Sequence, residues 1–167
     1  QKNINSMVSA FSQITKKYNN IYLYMVGRDI SIQNKELNKL INSLKINNKI
    51  FFLHEQKNLL KFYNGIDFLM LVSHSESFPN VIAESMLCST PVLSSNAGCS
   101  KKIINKYGFV MNNNDSQSIL KNLKKIINFF LYKKKEWQFL KKNSRLQIKN
   151  NFSIENMANK YLKTWIF

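Results

Sequence analysis

Short apolar runs recur along this chain, and between them the apolar residues switch to helical spacing. Ile21 to Val26, Ile50 to Leu53, Phe68 to Val72, Pro91 to Ser94 and Gly108 to Met111 are such runs. Consecutive apolar positions over so few residues suit strands buried on both faces. Between them, residues 4–18 place Ile4, Met7, Val8, Phe11, Ile14 and Thr15 along one helical face, and residues 34–45 do the same with Leu37, Leu40, Ile41 and Leu44. Residues 57–64 (Leu59, Leu60, Tyr63) and 99–106 read as short helices, and Pro79 to Cys88 as a helix with proline in its first turn. After Asp115 the pattern stays helical, with breaks expected near 134 and 152. Strand and helix in alternation predict an α/β fold, a Rossmann-like parallel sheet with helices on both faces. Ligands of such sheets bind outside the carboxyl ends of the strands. The loops after Val26, Leu53, Val72 and Ser94 are therefore where function is expected.

The length, 167 residues with 44% hydrophobic, fits one domain spanning 1–167 with a real core. The longest apolar run without a polar-tipped residue, Phe68 to Val72, falls far short of the roughly 20 residues that cross a bilayer. The chain opens at Gln1 in a polar stretch with no signal-peptide pattern, and the expectation is a piece of a longer protein. Cys88 and Cys99 lack the Cys-x-x-Cys spacing of a metal or redox site and read as reduced thiols of a cytoplasmic protein. The net charge of +16 comes almost wholly from Lys and favours anionic partners: nucleotides, acidic membrane surfaces or nucleic acid. A Lys/Asn/Ile-heavy composition also arises from base-composition bias alone, so both readings stand. The tightest basic cluster, Lys133-Lys134-Lys135 followed by Lys141-Lys142, falls on expected helix, where a solvated face is the usual outcome.

The loop after the third apolar run reads Ser73-His74-Ser75-Glu76-Ser77-Phe78-Pro79-Asn80-Val81-Ile82-Ala83-Glu84. A helix starting at Pro79 turns its first backbone N–H groups toward the rim, which suits a phosphate. Glu84 lies one turn in, on the same face as Asn80, and helical side chains lean toward the N-terminus. A carboxylate there repels phosphate but can accept hydrogens from both hydroxyls of a neighbouring diol. Phosphate beside diol describes a nucleotide with its ribose. Glu76, in the loop, falls near whatever the far phosphate carries. The acids are sparse (Asp at 29, 67 and 115, and six Glu) and form no Asp-x-Asp pair, while His54 and His74 stand apart. No metal site is expected. Neutralising a diphosphate then falls to helix N–H groups and to Lys2 and Arg28, the latter just after Gly27 at the end of the first strand.

Glu76 to Glu84 resembles the Glu-x7-Glu signature of the group 1 retaining glycosyltransferases of GT-B fold. The surroundings carry the resemblance further: Tyr63 and Asp67 to Ser73 before the motif, Thr90-Pro91-Val92 after it, then Gly98, Ile103-Ile104, Gly108-Phe109-Val110, the helix from Asp115 to Ile127, and Asn151-Phe152-Ser153 with Tyr161. At the opening, Lys2-Asn3, Met7 and Ala10-Phe11 match, as does Val26-Gly27. The resemblance covers essentially the whole chain and implies the C-terminal, donor-binding half of such an enzyme, with the acceptor-binding half elsewhere. It implies that Glu84 contacts the ribose, that Glu76 lies near the donor sugar, and that the backbone around Phe78, Pro79, Asn80 and Val81 contacts the sugar and diphosphate, with Lys2 gripping the latter. The implied activity is transfer of a hexosyl or related group, with retention, from a UDP- or GDP-linked sugar to a glycan or lipid-linked acceptor. Lipopolysaccharide, capsule or another bacterial surface polysaccharide is the implied product, and no cofactor beyond the nucleotide sugar is implied. The location implied is cytoplasmic, with peripheral contact to the anionic inner face of the plasma membrane. This domain by itself is expected not to turn over.

Four positions depart from the pattern. Ser89 and Cys99 stand where glycine is common, His54 where glycine often ends the second strand, and Lys102 where glutamate is common. Lys102 is expected to face solvent, while His54 lies either near the nucleobase or in a surface turn. Phe51, Phe52, Phe62 and Phe68 are expected in the core. Two rival readings differ in class. A nucleotide-sugar epimerase half-domain would want more catalytic acids and histidines. A basic nucleic-acid-binding module would want clustered Arg with surface aromatics, and nucleic acid is not the expected partner.

Overall fold

Strand β4 (Val92–Ser95) is buried at every position and sits between β3 (Leu69–Leu71) and β5 (Phe109–Met111), parallel to both. The register pairs Leu69 with Val92, Met70 with Leu93 and Leu71 with Ser94, then Leu93 with Phe109, Ser94 with Val110 and Ser95 with Met111. A computed structural model describes residues 2–28 and 30–165; Gln1, Asp29, Ile166 and Phe167 lie outside the described residues. Parallel strands need crossovers, and here they are helices: α4 (Asn80–Leu87) joins β3 to β4 and α5 (Ser100–Ile104) joins β4 to β5. Successive residues of β4 face opposite ways. Leu93 packs with Ala10, Ile14, Ile119, Leu123 and Ile126 from α1 (Ile4–Thr15) and α6 (Ser116–Tyr132). Val92 packs with Ile82, Met86, Ile103, Ile104 and Ile148 from α4, α5 and α7 (Lys134–Asn151). Helices thus cover both faces, as the continuous apolar runs predict.

The first two strands form their own parallel ladder, with β1 (Leu23–Met25) on β2 (Ile50–Phe52) and α2 (Lys35–Ser43) as the crossover. Among the described residues the strands therefore form two ladders, not one continuous sheet. Side chains join what the ladders leave apart: Met7 and Ile21 pack against both the central core and the cluster of Val8, Phe11, Met25, Leu37, Ile41 and Ile50. Phe51 corrects an expectation. The period of two turns Ile50 inward, so Phe51 points out, 42% exposed, and stacks on the equally exposed Tyr24 directly opposite, centroids 5.1 Å apart. Phe52, Phe62 and Phe68 are half-buried.

The helical remainder breaks where the sequence suggests, at Lys133 and at Phe152, both with non-helical backbone angles. Asn34 and Asp115 cap α2 and α6 by accepting the N–H groups of Leu37 and Ser118. The short helix α3 (Leu60–Gly65) buries only Tyr63, and α8 (Ile154–Trp165) buries none of its residues. Among the described residues no helix is long and apolar enough to cross a membrane.

Candidate functional site

Ser73 ends the run that forms β3 and is almost fully buried, and its hydrogen bonds fix the loop that follows. Its N–H donates to Ser95 Oγ at 2.9 Å, and its carbonyl accepts from Ser95 Oγ at 2.7 Å and from Asn114 Nδ2 at 3.1 Å. Its hydroxyl donates to Glu76 Oε1 at 2.7 Å, holding that half-buried carboxylate close to the head of the loop. Lys2 forms an antiparallel bridge with Ser73, and Asn3 N–H donates to Val72 O at 3.0 Å. The chain's opening is thereby laid across the carboxyl end of β3, with Lys2 exposed. His74 is exposed, its Nδ1 3.3 Å from Asn114 Nδ2.

The loop then passes under a glycine. Gly98 has φ +53, and a β-carbon there would sit 1.9 Å from Glu76 O and 2.7 Å from Ser77 O. Cys99 N–H donates to Ser77 O at 3.1 Å. The segment after β4 and the segment before α4 are thus in backbone contact, and both belong to the carboxyl-end rim.

Pro79 is buried, with φ −74 and ψ 91, and is the N-cap of α4. It offers no side-chain acceptor, so the first-turn N–H groups of Asn80 and Val81 have no cap. Asn80 is exposed and Val81 half-buried. Phe78 is 44% exposed and its ring leans on Phe152, centroids 5.9 Å apart, so its side chain packs while its backbone leads into the helix. One turn on, the exposed Glu84 accepts a hydrogen bond from the Tyr63 hydroxyl through Oε2 at 2.8 Å. Tyr63 itself is 3% exposed. Burial pushes its phenol well above the ordinary range, and the hydrogen bond to Glu84 and that group's charge raise it further. Its carbonyl accepts Thr90 Oγ1 at 2.6 Å, tying α3 to the start of the fourth run.

The other rim residues lie along the first ladder. Gly27 has φ +150, a conformation that side chains rarely adopt, and donates its N–H to His54 O at 3.0 Å. Arg28 is exposed and 3.7 Å from Glu55 Oε1, a solvated ion pair that leaves the guanidinium accessible. Lys102 faces solvent, as expected. Among the described residues no three His, Cys, Asp or Glu gather in a way that could hold a metal ion. Two cavities of about 390 and 350 Å³, lined by Phe130 and Trp137 and by Tyr18, Ile21, Asp67 and Phe68, lie toward the end opposite the rim, where Ile21 and Phe68 lead into β1 and β3.

The structure brings together along one loop and its following helix Lys2, Glu76, Phe78, Pro79, Asn80, Val81 and Glu84, while Gly27 and Arg28 sit at the end of the other ladder. Sequence reasoning did not single out Tyr63 or Ser73 as partners of the two glutamates. The available signal was weak: Tyr63 is a polar-tipped residue in a short helix whose other positions are mostly solvated.

Parallel ladders crossed over by helices, with a loop-to-helix rim at the carboxyl ends, define a doubly wound α/β domain. The chain belongs to the family described as glycosyl transferases group 1, whose sequence model matches residues 1–150. It is 25% identical over 171 residues to the capsular polysaccharide biosynthesis glycosyltransferase CapM of Staphylococcus aureus, covering 97% of this chain and 44% of CapM. In fold it matches HepE of Anabaena, crystallised with UDP-glucose, at a TM-score of 0.82 with 21% identity, over 98% of this chain and 44% of HepE. It also matches the C-terminal domain of the group 1 protein LpcC from Francisella tularensis at a TM-score of 0.76 with 20% identity, over 92% of this chain and 80% of that one. The chain spans less than half the length of CapM and HepE.

Proposed function

We propose that this domain binds a nucleoside diphosphate sugar, UDP- or GDP-linked, with its diphosphate at the start of α4 and its ribose on Glu84. The observation that carries this reading is the pairing, one helical turn apart, of uncapped N–H groups at Asn80 and Val81 with an exposed, anchored carboxylate at Glu84. The N–H groups and the helix dipole suit the anion, and the carboxylate suits the diol beside it. Lys2, held at the head of the same loop, adds positive charge, and Arg28 is the further donor on the rim. The UDP-glucose held by HepE supports the choice of ligand class.

In a full-length enzyme the proposed reaction is sugar transfer with retention to a glycan or lipid-linked acceptor. The bond from the anomeric carbon to the diphosphate oxygen breaks, and the acceptor oxygen bonds to that carbon on the same face. The acceptor proton passes to the leaving diphosphate. The domain's part is to stabilise charge gathering on the diphosphate and to orient the sugar, with Glu76 on the sugar side. Neutralisation by N–H groups and cations asks for no metal. An acceptor-binding domain would supply the wall facing this rim, and this domain by itself would not turn over. The role of CapM supports synthesis of a surface polysaccharide as the setting. Such an enzyme would work in the cytoplasm, with its net charge of +16 favouring contact with an anionic membrane face.

The test is calorimetric titration of UDP and GDP into the domain with EDTA present. One of the two is expected to bind in the micromolar range or tighter. Binding of neither, or binding that EDTA abolishes, would overturn the reading.

A further inference from the structure

We propose that Tyr63 is a positioning residue for nucleotide binding, fixing the Glu84 carboxylate in the orientation that accepts the ribose hydroxyls. The inference rests on the placement of the ribose at Glu84 proposed above. An exposed glutamate on a helix samples several rotamers, and holding it in one costs side-chain entropy on binding. Here that cost is met before the ligand arrives. The Tyr63 hydroxyl, on a ring 3% exposed, donates to Glu84 Oε2 at 2.8 Å. Burial of the ring restrains it, and the backbone beneath it is anchored where its carbonyl accepts from the buried Thr90 Oγ1 at 2.6 Å. A phenol offers one hydrogen, so it occupies one lone pair of Oε2. Oε1 and the second lone pair of Oε2 remain for a diol. One carboxylate oxygen is thereby held in place by the protein, and the two hydroxyls of a ribose meet a side chain whose freedom is already restricted.

The test compares ribonucleotide with 2′,3′-dideoxynucleotide, because a role in holding Glu84 for the ribose affects only the ligand that has the hydroxyls. Dissociation constants are measured for UDP and GDP and for their dideoxy forms, in the parent and in Tyr63→Phe. This variant removes one oxygen and no packing volume, and a melting curve confirms its fold. Tyr63→Phe is expected to weaken the ribonucleotide about three- to tenfold, the size of one hydrogen bond's net contribution, and to leave the dideoxy form within about twofold. In a Glu84→Ala background the same substitution is expected to have no further effect. Equal weakening of both ligands, no weakening of the ribonucleotide, or an undiminished loss in the Glu84→Ala background would each overturn the proposal. If the parent itself does not discriminate ribo from dideoxy, the ribose assignment of Glu84 fails first and takes this role with it.

Discussion

The carbonyl of Glu76 occupies the space that a side chain at Gly98 would need: a β-carbon there would lie 1.9 Å from that oxygen. Relief requires the Glu76–Ser77 backbone to move, since the colliding atoms are main chain. Residue 98 also has φ +53, where only glycine is free of penalty. Gly98→Ala is therefore expected to lower stability by roughly 2 kcal/mol or more, with the loop before α4 displaced. Urea denaturation measures the first effect and loss of nucleotide affinity the second. A loss below about 0.5 kcal/mol would contradict the packing described.

Ser89 and His54 adopt the left-handed conformation, with φ 60 and φ 54. Both stand where the family pattern often has glycine, and both carry the steric penalty of a β-carbon there. Ser89→Gly is expected to stabilise the domain by about 0.5 kcal/mol, the relief of that penalty less the entropy glycine costs. Thermal melts of Ser89→Gly and of His54→Gly check this. A fall in melting temperature for both would contradict it.

Glu84→Ala is expected to weaken nucleotide binding by roughly 1.5–3 kcal/mol, about ten- to a hundredfold, by removing a charged acceptor. The side chain is exposed, so its stability cost is expected to be only about 1 kcal/mol, from the lost partner of Tyr63. Calorimetry and denaturation on the same variant separate the two.

Stability at high pH should report on Tyr63. Its phenol is raised in the folded protein, so the folded state holds the proton where the unfolded chain releases it. That contribution is complete below the ordinary tyrosine pKa of about 10 and is lost as pH climbs from there toward the folded value. The denaturation midpoint should therefore fall above pH 10, and fall less steeply in Tyr63→Phe. An identical slope in the two proteins would contradict the buried, carboxylate-bound state of this phenol.

Local chemistry made much of this legible in advance. The apolar runs around Leu69 to Leu71 and Val92 to Ser95 announced buried strands because both faces are covered, and the breaks at Lys133 and Phe152 fell where expected. Phe51 misled, because a three-residue strand cannot reveal which of its positions faces out until its partner, Tyr24, is placed. The glutamates could be read from their spacing across the start of α4. Their anchors could not: Tyr63 is 21 residues from Glu84, and the contact exists only after α3 packs beside α4. Ser73 is three residues from Glu76, yet its role depends on a loop conformation that Gly98 imposes from the next segment. Gly98 and Cys99 together explain one departure from the family pattern. Position 98 must be glycine, while position 99, at φ −83, accepts a cysteine without strain.

Backbone amide shifts on titrating UDP and GDP into the ¹⁵N-labelled domain locate the ligand most directly. The predicted result, for the nucleotide that binds, is that the largest shifts fall on Asn80, Val81 and the residues around Glu84. Shifts that leave those amides still and cluster instead on Lys17 to Ile21 and Phe130 to Trp137, at the far end of the strands, would contradict it.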